Sequence, residues 1–334
     1  MNDPRYKDYD ERKPKKKGMK IAFIGNFEAQ YSTENYHKKS FEKLGHDVFC
    51  FQENRTSPRE IMSVPEIDLL YWTHTHGWRI GTEAEISEML WLCRKVGIIT
   101  VGYHLDLWMG LQREKDLHSD PYYRNIEHFF TVDKLMAEWL NANTKTKGHF
   151  LPAGVPESEC FLGTPNHNKY PHEIIFTGSK GYHKEYPYRV ELIEWLHRTY
   201  GSRFAHYGGG GLPTVRGPEL NNLYASAKIV IGDTLCKNFD YPEYLSDRAF
   251  EVPGRGGFMI FPYIKGIENH YKTDIPMEIA LYPYGDFNNL KNVIDFYLTN
   301  SSTREQIRVR GFERAKNDHT YEVRLKSLLK TVFE

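Results

Sequence analysis

Between Tyr241 and Pro262 the chain reads YPEYLSDRAFEVPGRGGFMIFP. Glu243, Asp247 and Glu251 recur every fourth residue, so a helix running through them would line one face with carboxylates. Ionised carboxylates only accept hydrogen bonds, which suits paired hydroxyls on a ribose or a hexose. Arg248, among them, can meet a phosphate or close an ion pair with Glu251 one helical turn on. Gly254, Arg255, Gly256 and Gly257 then break the run, and an apolar strand follows. Two readings stand at this point. One is a solvated charged helix ending in an ordinary loop. The other is a pocket for a ligand carrying hydroxyls and phosphates.

Other stretches carry chemistry of the same kind. In FTGSKGYHKEYPYR, Phe176 to Arg189, an apolar run enters Gly178, Ser179, Lys180 and Gly181, and a helix begins a few residues later. Backbone N–H groups in such a turn favour phosphate, and Lys180, Lys184 and Arg189 add charge. The spelling is neither a Walker A loop nor G-x-G-x-x-G. HYGGGGLPTVRG, from His206, has four consecutive glycines, suited to a mobile loop or to close backbone approach. In YHLDLW, His104 and Asp106 fall on one side of a strand, where they could take a proton from an acceptor hydroxyl. His74 and His76 are spaced alike. These four histidine and carboxylate positions lack metal-ligand spacing on a helix, and no metal site is read. Asp8-Tyr9-Asp10 spells a D-x-D, but it precedes the first strand and has no scaffold to fix it.

These residues need a frame. Residues 1–18 are dense in charge and without apolar period, which reads as a flexible tail whose Lys13 to Lys17 run stays solvated. MKIAFIG, HDVFCFQ, IDLLYWTH, GIITVGYHLD, HFFTVD and GHFLPAG read as strands alternating with helices. Residues 156–171 are rich in Pro, Gly and Asn and read as a linker. The alternation then restarts with EIIFTGS, RFAHYG, KIVIGDTL and IALYPYG, and YEVRLKSLLKTVF closes the chain as a helix. Such alternation predicts parallel sheets in two α/β halves, 19–155 and 172–316, with ligands outside the carboxyl ends of the strands. A length of 334 residues agrees with two domains, and 317–334 forms the terminal helix.

Charge is balanced, with 44 basic and 44 acidic residues, which argues against a general nucleic-acid binder. Cys50, Cys93, Cys160 and Cys236 lie far apart, as expected of reduced thiols. No apolar run is long enough to span a membrane, and no secretory signal is visible, so a cytoplasmic location is expected.

The Tyr241–Pro262 stretch resembles the C-terminal signature of GT-B glycosyltransferases of the group 1 type, through Ser246, Arg248, Phe250, Glu251 and Gly256-Gly257, and is closest to their CgeB-like branch. Glu243 and Glu251 match the E-x7-E of group 1 enzymes in spacing. LPAGVPESECF is similar to their hinge. The resemblance implies two Rossmann-like domains facing each other across a cleft, with a C-terminal helix crossing back to the first. It implies transfer of a hexose or pentose from a nucleotide sugar, UDP-linked by expectation, to an acceptor hydroxyl. The donor would lie against Gly178, Ser179, Lys184, Arg189, Ser246, Arg248, Glu251 and Gly256. Glu251 would hold the ribose and Glu243 the donor sugar, while His104 and Asp106 faced the acceptor. No metal or cofactor beyond the donor is implied, because fixed cations carry the leaving-group charge. The acceptor stays open: a glycan, a small molecule, a protein or a modified DNA base. A nucleotide-sugar epimerase of the same shape, or a non-catalytic glycan or nucleic-acid binding module, are the alternatives.

Overall fold

The computed structural model describes residues 18–106, 109, 111–181, 187–234 and 241–333. The chain divides into two units: Met1–Pro152 with Leu325–Glu334, and Ala153–Arg324.

The first unit is built on a parallel sheet of β1 (Lys20–Gly25), β2 (Asp47–Gln52), β3 (Leu69–Thr73), β4 (Ile99–His104), β5 (His128–Thr131) and β6 (Lys147–Phe150). The order is β2-β1-β3-β4-β5-β6. β1 is apolar without alternation because both its faces are covered. Ala22 and Ile24 join Trp72, Leu90 and Phe129 on one face, while Ile21 and Phe23 join Phe41 and Tyr71 on the other. The last helix, Tyr321–Phe333, delivers Leu325 and Leu328 to that second cluster, so the end of the chain belongs to the first unit. Thr82 and Glu85 form a reciprocal capping box at the start of Glu83–Lys95.

The second unit repeats the plan with β7 (Ile174–Thr177), β8 (Phe204–Tyr207), β9 (Ile229–Ile231), β10 (Met259–Tyr263) and β11 (Ala280–Pro283). All pairs are parallel, in the order β11-β10-β9-β7-β8. β7 therefore sends the chain to β8 on one side and receives β9 on the other. That reversal opens a crevice at the carboxyl ends of β7 and β9, the place where open α/β sheets take ligands.

One predicted element is corrected. The run from Glu243 to Glu251 is not a single helix, because the helix covers only Arg248–Gly254. Glu243 has a left-handed backbone at φ 56°, and Asp247 caps the helix by accepting from the Arg248 N–H. The three carboxylates therefore do not share a helical face. The helix also runs on through Pro253 to Gly254, where a break was expected. Proline offers no N–H to the carbonyl one turn back. The buried Tyr271 hydroxyl donates to that carbonyl, Ala249 O, at 2.7 Å and takes the place of the missing bond.

Candidate functional site

The residues that follow β7 and β9 meet through two arginines. Arg189, in the helix Pro187–Tyr200, donates from Nε to Asp233 Oδ2 at 2.9 Å and from Nη1 to the Ser179 carbonyl at 3.2 Å. Both partners of this ion pair are sealed from water, with side chains 3% and 0% exposed. Burial lowers the Arg189 guanidinium and the neighbouring Arg248 adds to that, while burial raises the Asp233 carboxyl; the pairing of Arg189 with Asp233 opposes both shifts. Arg189 Nη2 and Asp233 Oδ1 are buried and have no hydrogen-bond partner among the described residues.

Arg248 donates from Nε to the Thr177 carbonyl at 2.7 Å, which lays it along the end of β7. The two guanidiniums lie 5.2 Å (Arg248) and 5.7 Å (Arg189) from the centroid of the Phe176 ring. Arg189 is neutralised by Asp233, whereas Arg248 makes no ion pair among the described residues. Gly178 is what lets Arg248 lie so close: its φ is +126°, and a Cβ there would stand 2.1 Å from Arg248 Nη2. A cation held against a strand-end turn, with a second buried donor beside it, is suited to an anion such as a phosphate.

The expected phosphate contacts need one correction. The Gly178 N–H donates to the Tyr207 carbonyl at 2.9 Å and is not available to a ligand. The Ser179 N–H makes no hydrogen bond among the described residues. Lys180 is paired with Glu194 at 2.9 Å. Lys184 lies outside the described residues. The glycine run after β8 has a packing reason: a Cβ on Gly208 would stand 2.2 Å from the Gly178 carbonyl oxygen, and Lys180 N donates to Gly209 O at 2.8 Å. The two loops support each other.

Glu251, one turn into the Arg248–Gly254 helix, keeps a side chain 18% exposed. Its Oε1 accepts from Arg255 Nε at 3.1 Å, and its Oε2 accepts no hydrogen bond among the described residues. The expected Arg248–Glu251 ion pair is replaced by this Arg255–Glu251 pair. Burial pushes the Glu251 carboxyl up to about 7, Asp247 adds to the rise, and Arg216 and Arg248 pull it back.

The remaining signature residues shape the backbone. Ser246 Oγ donates to the Asp233 carbonyl at 2.5 Å and ties the start of the helix to the end of β9. Gly256 turns at φ 78° against Leu162, and its carbonyl accepts from Arg308 Nη1 at 3.0 Å. Glu243 packs on Gly266, where a Cβ would stand 2.1 Å from its Cγ, and its N–H donates to the Lys265 carbonyl at 2.8 Å.

In the first unit, β4 ends at His104, so strand alternation does not carry on to Asp106. The two meet through the backbone instead, the Asp106 N–H donating to His104 Nδ1 at 3.2 Å. His74, just past β3, is paired through Nδ1 with Glu53, and its Nε2 lies 4.0 Å from Asp120 Oδ2. Glu53 is fully buried and also accepts from Trp72 Nε1 and the Thr75 N–H, each at 2.8 Å. His76 Nδ1 faces Asp116 at 3.4 Å. Among the described residues no group of three or more His, Cys, Asp or Glu side chains is placed to hold a metal ion, and no helix is long and apolar enough to cross a membrane.

Four groups escaped notice in the sequence. Glu53 follows β2 directly and Asp233 lies two residues past β9, positions that could have marked them. Arg255 and Glu159 sit in stretches that read as loop and linker, and nothing in their spelling sets them apart.

Residues 189–330 match the family model Glyco_trans_1_2, described as glycosyl transferase-like. A search of curated protein sequences finds no match. Among solved structures the chain is similar to Anabaena HepE in complex with UDP-glucose, with a TM-score of 0.61 at 13% identity over 94% of this chain and 99% of that one. Sucrose-phosphate synthase from Thermosynechococcus elongatus superposes with a TM-score of 0.59 at 13% identity, again over 94% and 99%. A glycosyltransferase from Rickettsia africae gives 0.58 at 12% identity, over 94% and 97%. With two parallel α/β sheets and a terminal helix that returns to the first unit, the chain has the GT-B fold of these structures, and most of its second unit matches a glycosyl transferase-like domain.

Proposed function

We propose that the protein transfers a sugar from a UDP-linked donor to an acceptor hydroxyl, as a CgeB-like member of the group 1 enzymes. The branch rests on Ser246, Arg248, Phe250, Glu251 and Gly256-Gly257. The choice of UDP is supported by the UDP-glucose complex of the structurally similar Anabaena protein. The observation that carries the reading is Arg248, a cation without an ion-pair partner among the described residues, lying along the end of β7 with Glu251 one turn further along its helix.

In this reading the diphosphate sits against Arg248, with Arg189 Nη2, the Ser179 N–H and Lys184 as further donors. Glu251 Oε2 accepts from the ribose hydroxyls, and Glu243 lies by the donor sugar. As the bond from the anomeric carbon to the phosphate oxygen breaks, negative charge grows on the diphosphate, and a fixed guanidinium stabilises it without reorganising. The reaction then needs no metal and no cofactor beyond the donor. His104 and Asp106 present the acceptor hydroxyl. A cytoplasmic site of action agrees with the unpaired thiols of Cys50, Cys93 and Cys160. The test is release of UDP from UDP-glucose, UDP-galactose and UDP-N-acetylglucosamine, with and without candidate acceptors. One donor is expected to be consumed, and the Arg248→Ala variant to lose about 100-fold or more of that rate. Consumption of no donor, or full activity in the variant, contradicts the reading.

A further inference from the structure

Arg255 is 1% exposed, and each of its guanidinium nitrogens has a partner. Nε donates to Glu251 Oε1 at 3.1 Å. Nη1 donates to the Gly217 carbonyl at 3.1 Å and to Asn221 Oδ1 at 2.8 Å. Nη2 is paired with Glu159. Asn221 in turn donates from Nδ2 to the carbonyls of Glu159 at 2.8 Å and Phe161 at 2.7 Å. One planar fork thus joins three segments: the chain at 159–161, the helix Pro218–Ser226 with Gly217 before it, and the helix that carries Glu251.

The consequence falls on Glu251. Arg255 provides the one side-chain hydrogen bond that Glu251 makes among the described residues, and it takes Oε1. The other oxygen, Oε2, is left to whatever the pocket holds. Lysine could not replace this arrangement, because a single ammonium cannot reach four acceptors laid out on a planar fork. A buried ion pair can also be only a staple for the fold. A staple and a positioning group make the same contacts. They differ in whether the ribose hydroxyls of a ligand feel their loss.

We propose that Arg255 is a positioning residue for the donor. It fixes Glu251 so that Oε2 meets the ribose 2′ and 3′ hydroxyls, and through Glu159 it ties that carboxylate to the 159–161 segment. This makes Arg255 a determinant of ribose over deoxyribose donors. The inference rests on the donor reading given above.

The test is calorimetric binding of UDP and of 2′,3′-dideoxy-UDP to wild type, Arg255→Lys and Glu159→Gln, with ADP and GDP as further probes and thermal unfolding as a check on the fold. Wild type is expected to prefer UDP over the dideoxy analogue by about tenfold or more, the worth of a charged hydrogen bond. Arg255→Lys is expected to lose most of that preference while binding the dideoxy analogue as wild type does. Glu159→Gln keeps the shape of its side chain and the guanidinium, and is expected to lose about threefold of the preference. A folded Arg255→Lys that retains the full preference overturns the inference and leaves Arg255 a staple. If Arg255→Lys does not fold, an undiminished preference in Glu159→Gln overturns it equally. Wild type that binds UDP and its dideoxy analogue alike overturns it while leaving the diphosphate site standing. Wild type that binds no nucleoside diphosphate overturns the donor reading itself, and the inference with it.

Discussion

Arg248 and Glu251 were legible in the sequence as residue types suited to phosphate and ribose. The groups that hold Arg189 and Glu251 were not legible. Asp233 and Arg255 act from 44 and four residues away, respectively, from the groups they hold, and only the fold shows which partners they have. Glu251 gives a pH prediction. Burial raises its carboxyl to about 7, so below that pH it carries a proton, and above it Oε2 is a full acceptor for the ribose. If only the ionised form binds, UDP-glucose affinity should be about tenfold weaker at pH 6 than at pH 8, and flat in Glu251→Gln. UDP-glucose suits this titration because its phosphates do not ionise in that window. A flat wild-type profile would contradict the assignment. Gly178 gives a second prediction at the same scale. Gly178→Ala strains a φ of +126° and drives a methyl into Arg248 Nη2. It should cost about 1–3 kcal/mol of stability and weaken donor binding together with it, measured by urea unfolding and titration. Loss of stability with donor affinity intact would separate Gly178 from the site.

The elements were legible to different degrees. Strands such as β1 and β3 stand out because sheets covered on both faces select unbroken apolar runs. The helix Arg248–Gly254 was misplaced because charge spacing from Glu243 onward imitates a helical face. The backbone instead turns left-handed at Glu243, and the Ser246 and Asp247 side chains hold the entry. The glycines and Pro253 hid the other end. Proline in a seven-residue helix persists here because Tyr271 satisfies the orphaned Ala249 carbonyl. Tyr271→Phe leaves that carbonyl buried without a partner and should cost about 1–3 kcal/mol in chemical denaturation. Since this helix carries both Arg248 and Glu251, donor affinity should fall with it. An unchanged unfolding midpoint would show that the hydroxyl does not support the helix.

At the scale of the whole molecule, alternating strands and helices announce two parallel α/β units, and each sheet reverses its strand order next to its first strand. Periodicity alone marks Tyr321–Phe333 as amphipathic without saying what covers its apolar face, and the family resemblance is what implied its return. Leu325 and Leu328 are fully buried in the first unit's core, more than 150 residues after that unit's last strand. Leu328→Ala should therefore destabilise the first unit by about 2–5 kcal/mol in chemical denaturation, and an exposed-site cost near zero would contradict the packing. The central claim is a nucleotide-sugar pocket at the carboxyl ends of β7 and β9, and its most direct test is thermal stabilisation of wild type and Glu251→Ala by a panel of nucleotide sugars. A donor at 100 times its dissociation constant should stabilise wild type by about 2.7 kcal/mol. The prediction is that one nucleotide sugar does so, and that Glu251→Ala loses most of the shift. Stabilisation by none of them, or an equal shift in the variant, would contradict a donor pocket built on Glu251.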